Sequence, residues 1–504
     1  MKKKILKYSF MLILCFTFVF LFMPKESFAA NGDWIYDSEA KTLTNSEDDQ
    51  LVIGNVTAEG TNLAIGDNRN AGFTSIDLTG EIKDSSNSTT NYAITSIGHW
   101  AFYQCASLNE INIPNSVISI GEYAFSECNA LKEINIPDGV TSIGHYACYN
   151  SAYLEKISIS DSVTSIGHNA FDYCTSLKEI NIPDSVTSIG SSAFESCTSL
   201  KTITWPDSVT SIANWTFNGC IALEEINIPD SVTSIGISAF SGCVSLSGIT
   251  IPDSVTSIGS SVFAFCTSLN EIIIPDSITS INTTAFRGCT LLDTIYLMSE
   301  TPVSLGDNVF LDCSSLSNIY VPSSSVDLYK AEWSNYENLI KAGIYKLTVE
   351  NGSGSGNYIE GADVSISVDN NDENGHFTSW QITSGNGISL TDEKAVKTTF
   401  KMPNSDVTVT AVFEAHNYVD GKCSVCGYEN PDYVPPKEDD KTDNSNINND
   451  SVSTDIKVNS KADKTVSSSV DTSDENNVTA YIILLMVSII MVGSLSIYKN
   501  KKDC

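Results

Sequence analysis

Apolar residues recur along this chain with one fixed period. Ten near-identical segments follow one another between Ile94 and Val321, and the clearest, VTSIGHNAFDYCTSLKEINIPDS, runs from Val163 to Ser185. Cys174, Cys197, Cys220, Cys243, Cys266 and Cys289 stand 23 residues apart. A period in this range predicts a solenoid, in which each unit buries its apolar face only by stacking on its neighbours. In Leu177–Pro183, Ile180 and Ile182 alternate inward with Glu179 and Asn181 outward, so this stretch reads as a strand ended by Pro183. Val163 and Ile166 point inward from a second extended segment, and Gly167 permits the next corner. Ala170, Phe171 and Cys174 are expected on a short helical turn with its apolar side to the core.

The flanks lose this period. Residues 30–93 read as an N-terminal cap, with short strands around Trp34–Tyr36 and Leu51–Ile53 and half a repeat at Phe73–Leu78. A cap is needed to cover the open end of a solenoid core. The repeat region, 94–344, closes with a predicted helix whose aromatic face includes Tyr329, Trp333 and Tyr336 within 326–340. Residues 345–414 alternate apolar and polar at Tyr345–Val349 and Val407–Phe413, predicting a small β domain. Residues 415–430 hold a C-x-x-C segment, and 431–477 are a polar linker expected to stay disordered.

Two further apolar runs set the compartment. Lys2, Lys3, Lys4 and Lys7 precede the run Tyr8–Met23, and Ser27-Phe28-Ala29 supplies small residues for cleavage, so 1–29 read as a signal peptide. The run 478–498 is long enough to span a bilayer as a helix, and Lys499, Lys501 and Lys502 place the tail 499–504 in the cytoplasm. Ser469-Val470-Asp471-Thr472-Ser473 departs from the L-P-x-T-G sortase pattern at its proline and glycine. The expectation is a retained single-pass membrane anchor, with a divergent wall anchor as the alternative. A formal net charge of −33 disfavours nucleic acid and anionic lipid surfaces as partners.

The pattern VTSIGxxAFxxCxSLxEIxIPDS resembles the BspA-like, or treponemal, leucine-rich repeat. That resemblance implies a right-handed solenoid with a parallel sheet on one face and AF and C on the convex side. The segment 345–414, with Gly352, Gly354 and Gly356, Phe377 with Trp380, and Met402-Pro403, resembles the divergent internalin-type B repeat. That family implies a spacer or adhesive module.

Candidate chemistry is sparse. The cysteine that recurs in each repeat holds one inward slot beside the phenylalanines, and the expectation is a ladder of buried thiols rather than disulfides. In the third repeat Cys148 takes the phenylalanine slot and Ser151 the cysteine slot. His99, His145 and His168 share one position, either a solvated face or a pH-sensitive or metal-binding pair on adjacent coils. Cys423 and Cys426 lie near His416, in a segment resembling half a zinc ribbon. These supply three of the four ligands that structural zinc requires, so zinc, a local disulfide and an eroded remnant all stand open. No catalytic residue, metal or cofactor is assigned.

One outward column reads Asn112, Asn135, Ser158, Asn181, Thr204, Asn227, Thr250, then Ile273, Tyr296 and Tyr320. Its apolar end is either a recognition surface or core covered by the closing helix. The reading is a Gram-positive cell-surface recognition protein, with Ile273, Tyr296 and Tyr320 as ligand-binding residues. Its partner would be a host or microbial surface protein or glycan. The alternative is a passive spacer of the envelope.

Overall fold

The computed structural model describes residues 33–48, 51–69, 71–86, 89–369, 375–385, 387–430 and 433. The expected signal peptide, membrane run and tail lie outside the described residues, as does the linker 431–477 apart from Tyr433. Among the described residues no helix is long and apolar enough to cross a membrane.

The repeats stack in register as parallel strands. The TSI segments pair one above another, as in Ile120 with Ile143, Ile166 with Ile189, and Ile258 with Ile281. The EIxI segments form a second ladder, as in Ile134 with Ile157, Ile180 with Ile203, and Ile272 with Ile295. Its first rung is the strand Ser75–Asp77, paired with Glu110–Asn112. Over 225–228 and 248–251 the strand pattern lapses, yet Ile226, Ile228, Ile249 and Ile251 remain buried. Inward packing therefore outlasts ideal ladder geometry.

The corner after AF is not the expected helical turn. Backbone N–H groups of Trp100, Phe102 and Gln104 donate to the Glu122, Ala124 and Ser126 carbonyls of the next coil, at 2.9, 2.8 and 2.9 Å. The intervening N–H groups of Tyr103 and Cys105 bond back within their own coil, to Trp100 and Phe102. A helix would direct every N–H along its own chain. Here alternate groups turn toward the neighbouring coil, which requires left-handed backbone at Trp100 (φ 56°) and Gln104 (φ 58°), and at their equivalents in later coils.

Phenylalanines stack inside this corner, with ring centroids 5.3–5.8 Å apart from Phe171 through Phe194, Phe217, Phe240, Phe263 and Phe286 to Phe310. Cys148 interrupts the stack between Phe125 and Phe171. Each buried thiol beside it donates to a carbonyl of the preceding coil, as Cys197 does to Phe171 at 3.1 Å. The described cysteines are free thiols. Ser151 keeps the same bond through its hydroxyl, to the Phe125 carbonyl at 2.7 Å.

Gly167 serves close approach rather than a left-handed backbone. A Cβ built there would stand 2.6 Å from the backbone nitrogen of His145. Ala213 takes this corner in one coil, and pairing lapses there between Ser188–Ile189 and Ser211–Ile212. Asn282 also takes it, and there the side-chain amide donates to the Ile258 carbonyl and pairing continues.

Both ends are covered by aromatic edges. Phe73 meets Phe102 edge-on, with centroids 6.1 Å apart, and buried Trp34 donates its indole N–H to the Asp77 carbonyl. At the other end the helix is shorter than expected, Val326–Glu332. Trp333 and Tyr336 lie over Phe310, and Ile340 belongs to the next strand because the chain turns back after Trp333 to extend the sheet. That strand, Ile340–Glu350, pairs first with Asn318–Pro322 of the repeats and then with Val407–Glu414 of the β domain. The boundary expected at 344/345 falls inside it. Leu347, Val349, Val364, Ile366, Trp380 and Val409 are buried in the β-domain core.

Candidate functional site

The outward column is carried into the structure by strand register. Ile273 pairs with Tyr296, Tyr296 with Tyr320, and Tyr320 with Lys341. The Tyr296 and Tyr320 rings stack with centroids 5.3 Å apart. All three candidate residues are half-buried. The closing helix does not hide them: its Tyr329 hydroxyl and Trp333 indole bond the Ser299, Thr301 and Val303 carbonyls. Tyr320 instead lies against Gly343, where an added Cβ would come 2.3 Å from its ring.

A second aromatic surface escaped the sequence reading. Trp100, Tyr123 and Tyr146 occupy the left-handed slot of three successive coils, and their rings stack at 6.1 and 4.6 Å. Tyr103 and Tyr149 meet this strip edge-on, and Tyr173 meets Tyr149 in the same way. Arg69 of the cap lies over Trp100, 5.2 Å from the ring centre. Trp100 and Tyr173 are 40% and 44% exposed and the others half-buried, so the strip is wet on one side. Other coils fill the same slot with Asn169, Ser192, Trp215, Ser238, Ser261, Thr284 and Asn308, so smaller residues hold it in all but one of them. Bulky side chains are poorly suited to this backbone, whereas Asn is tolerated. The visible signal was aromatic residues recurring at the 23-residue period in three successive coils, with Trp215 at the same position further on.

The exposed histidines support the backbone. His145 and His168 stack 4.9 Å apart, and their Nδ1 atoms accept the backbone N–H groups of His168 and Ser191, both at 2.8 Å. Asn214 offers its Oδ1 to Ile237 in the same way. An Nδ1 so engaged has no lone pair for a metal.

The C-x-x-C segment gains a partner from the β domain. His376 begins the strand His376–Ser384 and pairs with Glu414, two residues before His416. This brings His376, His416, Cys423 and Cys426 together, with one ligand atom from each all within 4.8 Å of one another. Cys423 Sγ is 3.8 Å from His376 Nδ1, and Cys426 Sγ is 3.5 Å from His416 Nδ1. His376 and Cys423 are buried, His416 half-buried and Cys426 exposed. The backbone N–H of Cys426, aided by that of Val425 and by His416, pulls the Cys423 thiol down to about 5. Asp420 and Gly421 are both left-handed and make the tight turn between Tyr418–Val419 and Lys422–Cys423 that aims this thiol back at the β domain.

Residues 95–224 and 210–340 match the BspA type leucine rich repeat region, and residues 345–417 match the divergent InlB B-repeat domain. This chain carries BspA-type leucine-rich repeats followed by a divergent InlB B-repeat domain. Comparison with curated proteins finds no match. Among solved structures, the chain is similar to a leucine-rich repeat protein from Bacteroides ovatus, with 28% identity over 59% of this chain and 82% of that one, and a TM-score of 0.50. It is also similar to the T. pallidum leucine rich repeat protein, with 31% identity over 38% of this chain and 86% of that one, and a TM-score of 0.34. A leucine rich cell surface protein from Faecalibacterium prausnitzii gives 26% identity over 56% of this chain and 97% of that one, with a TM-score of 0.32.

Proposed function

We propose that this protein is a cell-surface recognition and adhesion protein that binds a host or microbial surface protein or glycan through its repeat surface. The observation that carries this is the aromatic strip of Trp100, Tyr123 and Tyr146, flanked by Tyr103, Tyr149 and Tyr173. Aromatic rings offer large contact area at small entropic cost and are enriched at recognition surfaces. Here they stand half-exposed on backbone that favours smaller residues. The stacked pair Tyr296 and Tyr320 with Ile273 is a second contact surface, favoured because the closing helix leaves it open. The same reading takes the repeat array as ten coils, the N-terminus as a signal peptide and 478–498 as a single-pass anchor with a cytoplasmic tail. It assigns no catalysis.

The test is binding of the protein to immobilised matrix proteins, mucins and glycans. Trp100→Asn, Tyr123→Asn and Tyr146→Asn together should weaken any binding found by at least about thirtyfold, as expected for removal of interface anchors. Unfolding midpoints should hold or rise, because Asn accepts the left-handed slot. Changing Ile273, Tyr296 and Tyr320 to Ser tests the second surface. Full binding by both triple variants would place the contact on other residues, and no binding by the parent favours the spacer.

A further inference from the structure

We propose that His376, His416, Cys423 and Cys426 form a tetrahedral structural zinc site that clamps the C-x-x-C segment onto the β domain. The geometry has the right scale. With Zn–S near 2.3 Å and Zn–N near 2.0–2.1 Å, a tetrahedral ion sets sulfur and nitrogen ligands about 3.6 Å apart. The observed separations of 3.8 and 3.5 Å fit two edges of such a tetrahedron.

The surroundings of each ligand point the same way. His416 turns its Nδ1 toward Cys426, and its ligand atom lies within 4.8 Å of those of the other three residues. Its face is fixed by Tyr428, stacked at 4.8 Å. Behind His376, Glu414 Oε2 lies 3.9 Å from Nε2, where a carboxylate orients a metal-bound imidazole. The turn after Cys423 brings Gly427 N–H to the Cys423 carbonyl at 2.9 Å, which folds the two cysteines around one point.

The donor set selects the ion and its role. Two thiolates and two imidazoles suit Zn2+ rather than Mg2+ or Ca2+. Four protein ligands leave no open position, so the site is structural. Its ligands come from two pieces of chain: His376 is 40 residues from His416, and the hairpin 418–430 has little apolar contact of its own. The ion would hold that hairpin to the β domain. This inference is independent of the binding reading.

The experiment uses the full chain, purified under reducing conditions and loaded with Zn2+, then with Co2+ as a spectroscopic probe. One zinc per chain should survive gel filtration, and the cobalt form should show sulfur-to-metal charge transfer and tetrahedral ligand-field bands. His376→Gln and Cys426→Ser should each weaken zinc binding by more than about 100-fold, while His145→Asn should not. Cys426 is exposed, so its variant keeps the test valid if His376→Gln folds poorly. Chelation should make Lys422 newly open to trypsin in the parent. Unchanged zinc affinity in the folded His376→Gln variant overturns the four-ligand site. A metal-free protein with a Cys423–Cys426 disulfide overturns the proposal altogether.

Discussion

At the scale of single residues, the repeat cysteine earns its slot as a donor as much as a hydrophobe. A carbonyl such as that of Phe171 accepts the Cys174 N–H and, from the next coil, the Cys197 thiol, so both lone pairs are used. Burial pushes these thiols up, Cys105 to about 11 and Cys266 to about 12, which leaves them inert. Thiol titration of the reduced native protein should therefore count few reactive groups, chiefly at Cys426 and the half-buried Cys313, and the remainder only on unfolding. Stoichiometric disulfides between coils would contradict this. Asp172 is a different case. Burial pushes its carboxyl up to about 7, with Oδ1 unpaired and only the Asn169 amide on Oδ2. The unfolded value is about 3.9, so from pH ~4 to ~7 the folded state holds a proton that the unfolded state has lost. Its contribution to stability is thus full below ~4 and falls as pH rises, by at most ~1.4 kcal/mol per unit, then stays level above ~7. Asp172→Asn should remove that loss. Urea midpoints of parent and variant should differ more at pH 8 than at pH 5; an equal gap would mean the carboxyl is ionised throughout.

At the scale of the element, one coil is held by three inter-coil ladders and one aromatic stack. Phe194 sits fully buried between Phe171 and Phe217, each 5.7 Å away. Phe194→Ala should cost about 3–5 kcal/mol as a cavity that packed neighbours cannot close. Asn181, exposed on the adjoining strand, should cost under about 0.5 kcal/mol on truncation. Calorimetry or denaturant melts of the two variants check this, and similar losses would mean that inward and outward faces are not distinct. This inward set was legible in the sequence, since Val163, Ile166, Phe171, Ile180 and Ile182 repeat without exception of kind: every coil must be apolar where the next covers it. The corner was less legible. Left-handed backbone is usually announced by glycine, but Trp100, Tyr123 and Tyr146 hold it here, while Gly167 answers a steric demand from His145. The metal cluster was half legible. Cys423, Cys426 and His416 are close in sequence, but His376 arrives through strand pairing with Glu414, which no local spacing reveals.

At the scale of the whole molecule, the ladders decide how the array answers a pull on its ends. Hydrogen bonds between coils run along the stacking direction, so tension does not load them all as one shear plane. It concentrates on whichever coil lies outermost, and the coil behind keeps its own bonds intact. Each one released frees a 23-residue loop, about 80 Å of extended contour in place of about 4.8 Å of stacking rise. Gly190, where an added Cβ would stand 2.5 Å from the His168 backbone nitrogen, marks a tight joint, whereas the Ala213 corner marks a loose one. The strand Ile340–Glu350 carries load straight from the repeats into the β domain, with no slack linker between them. Under flow or drag such a protein would pay out length in steps, absorbing work as it lengthens, and rewind when the force drops.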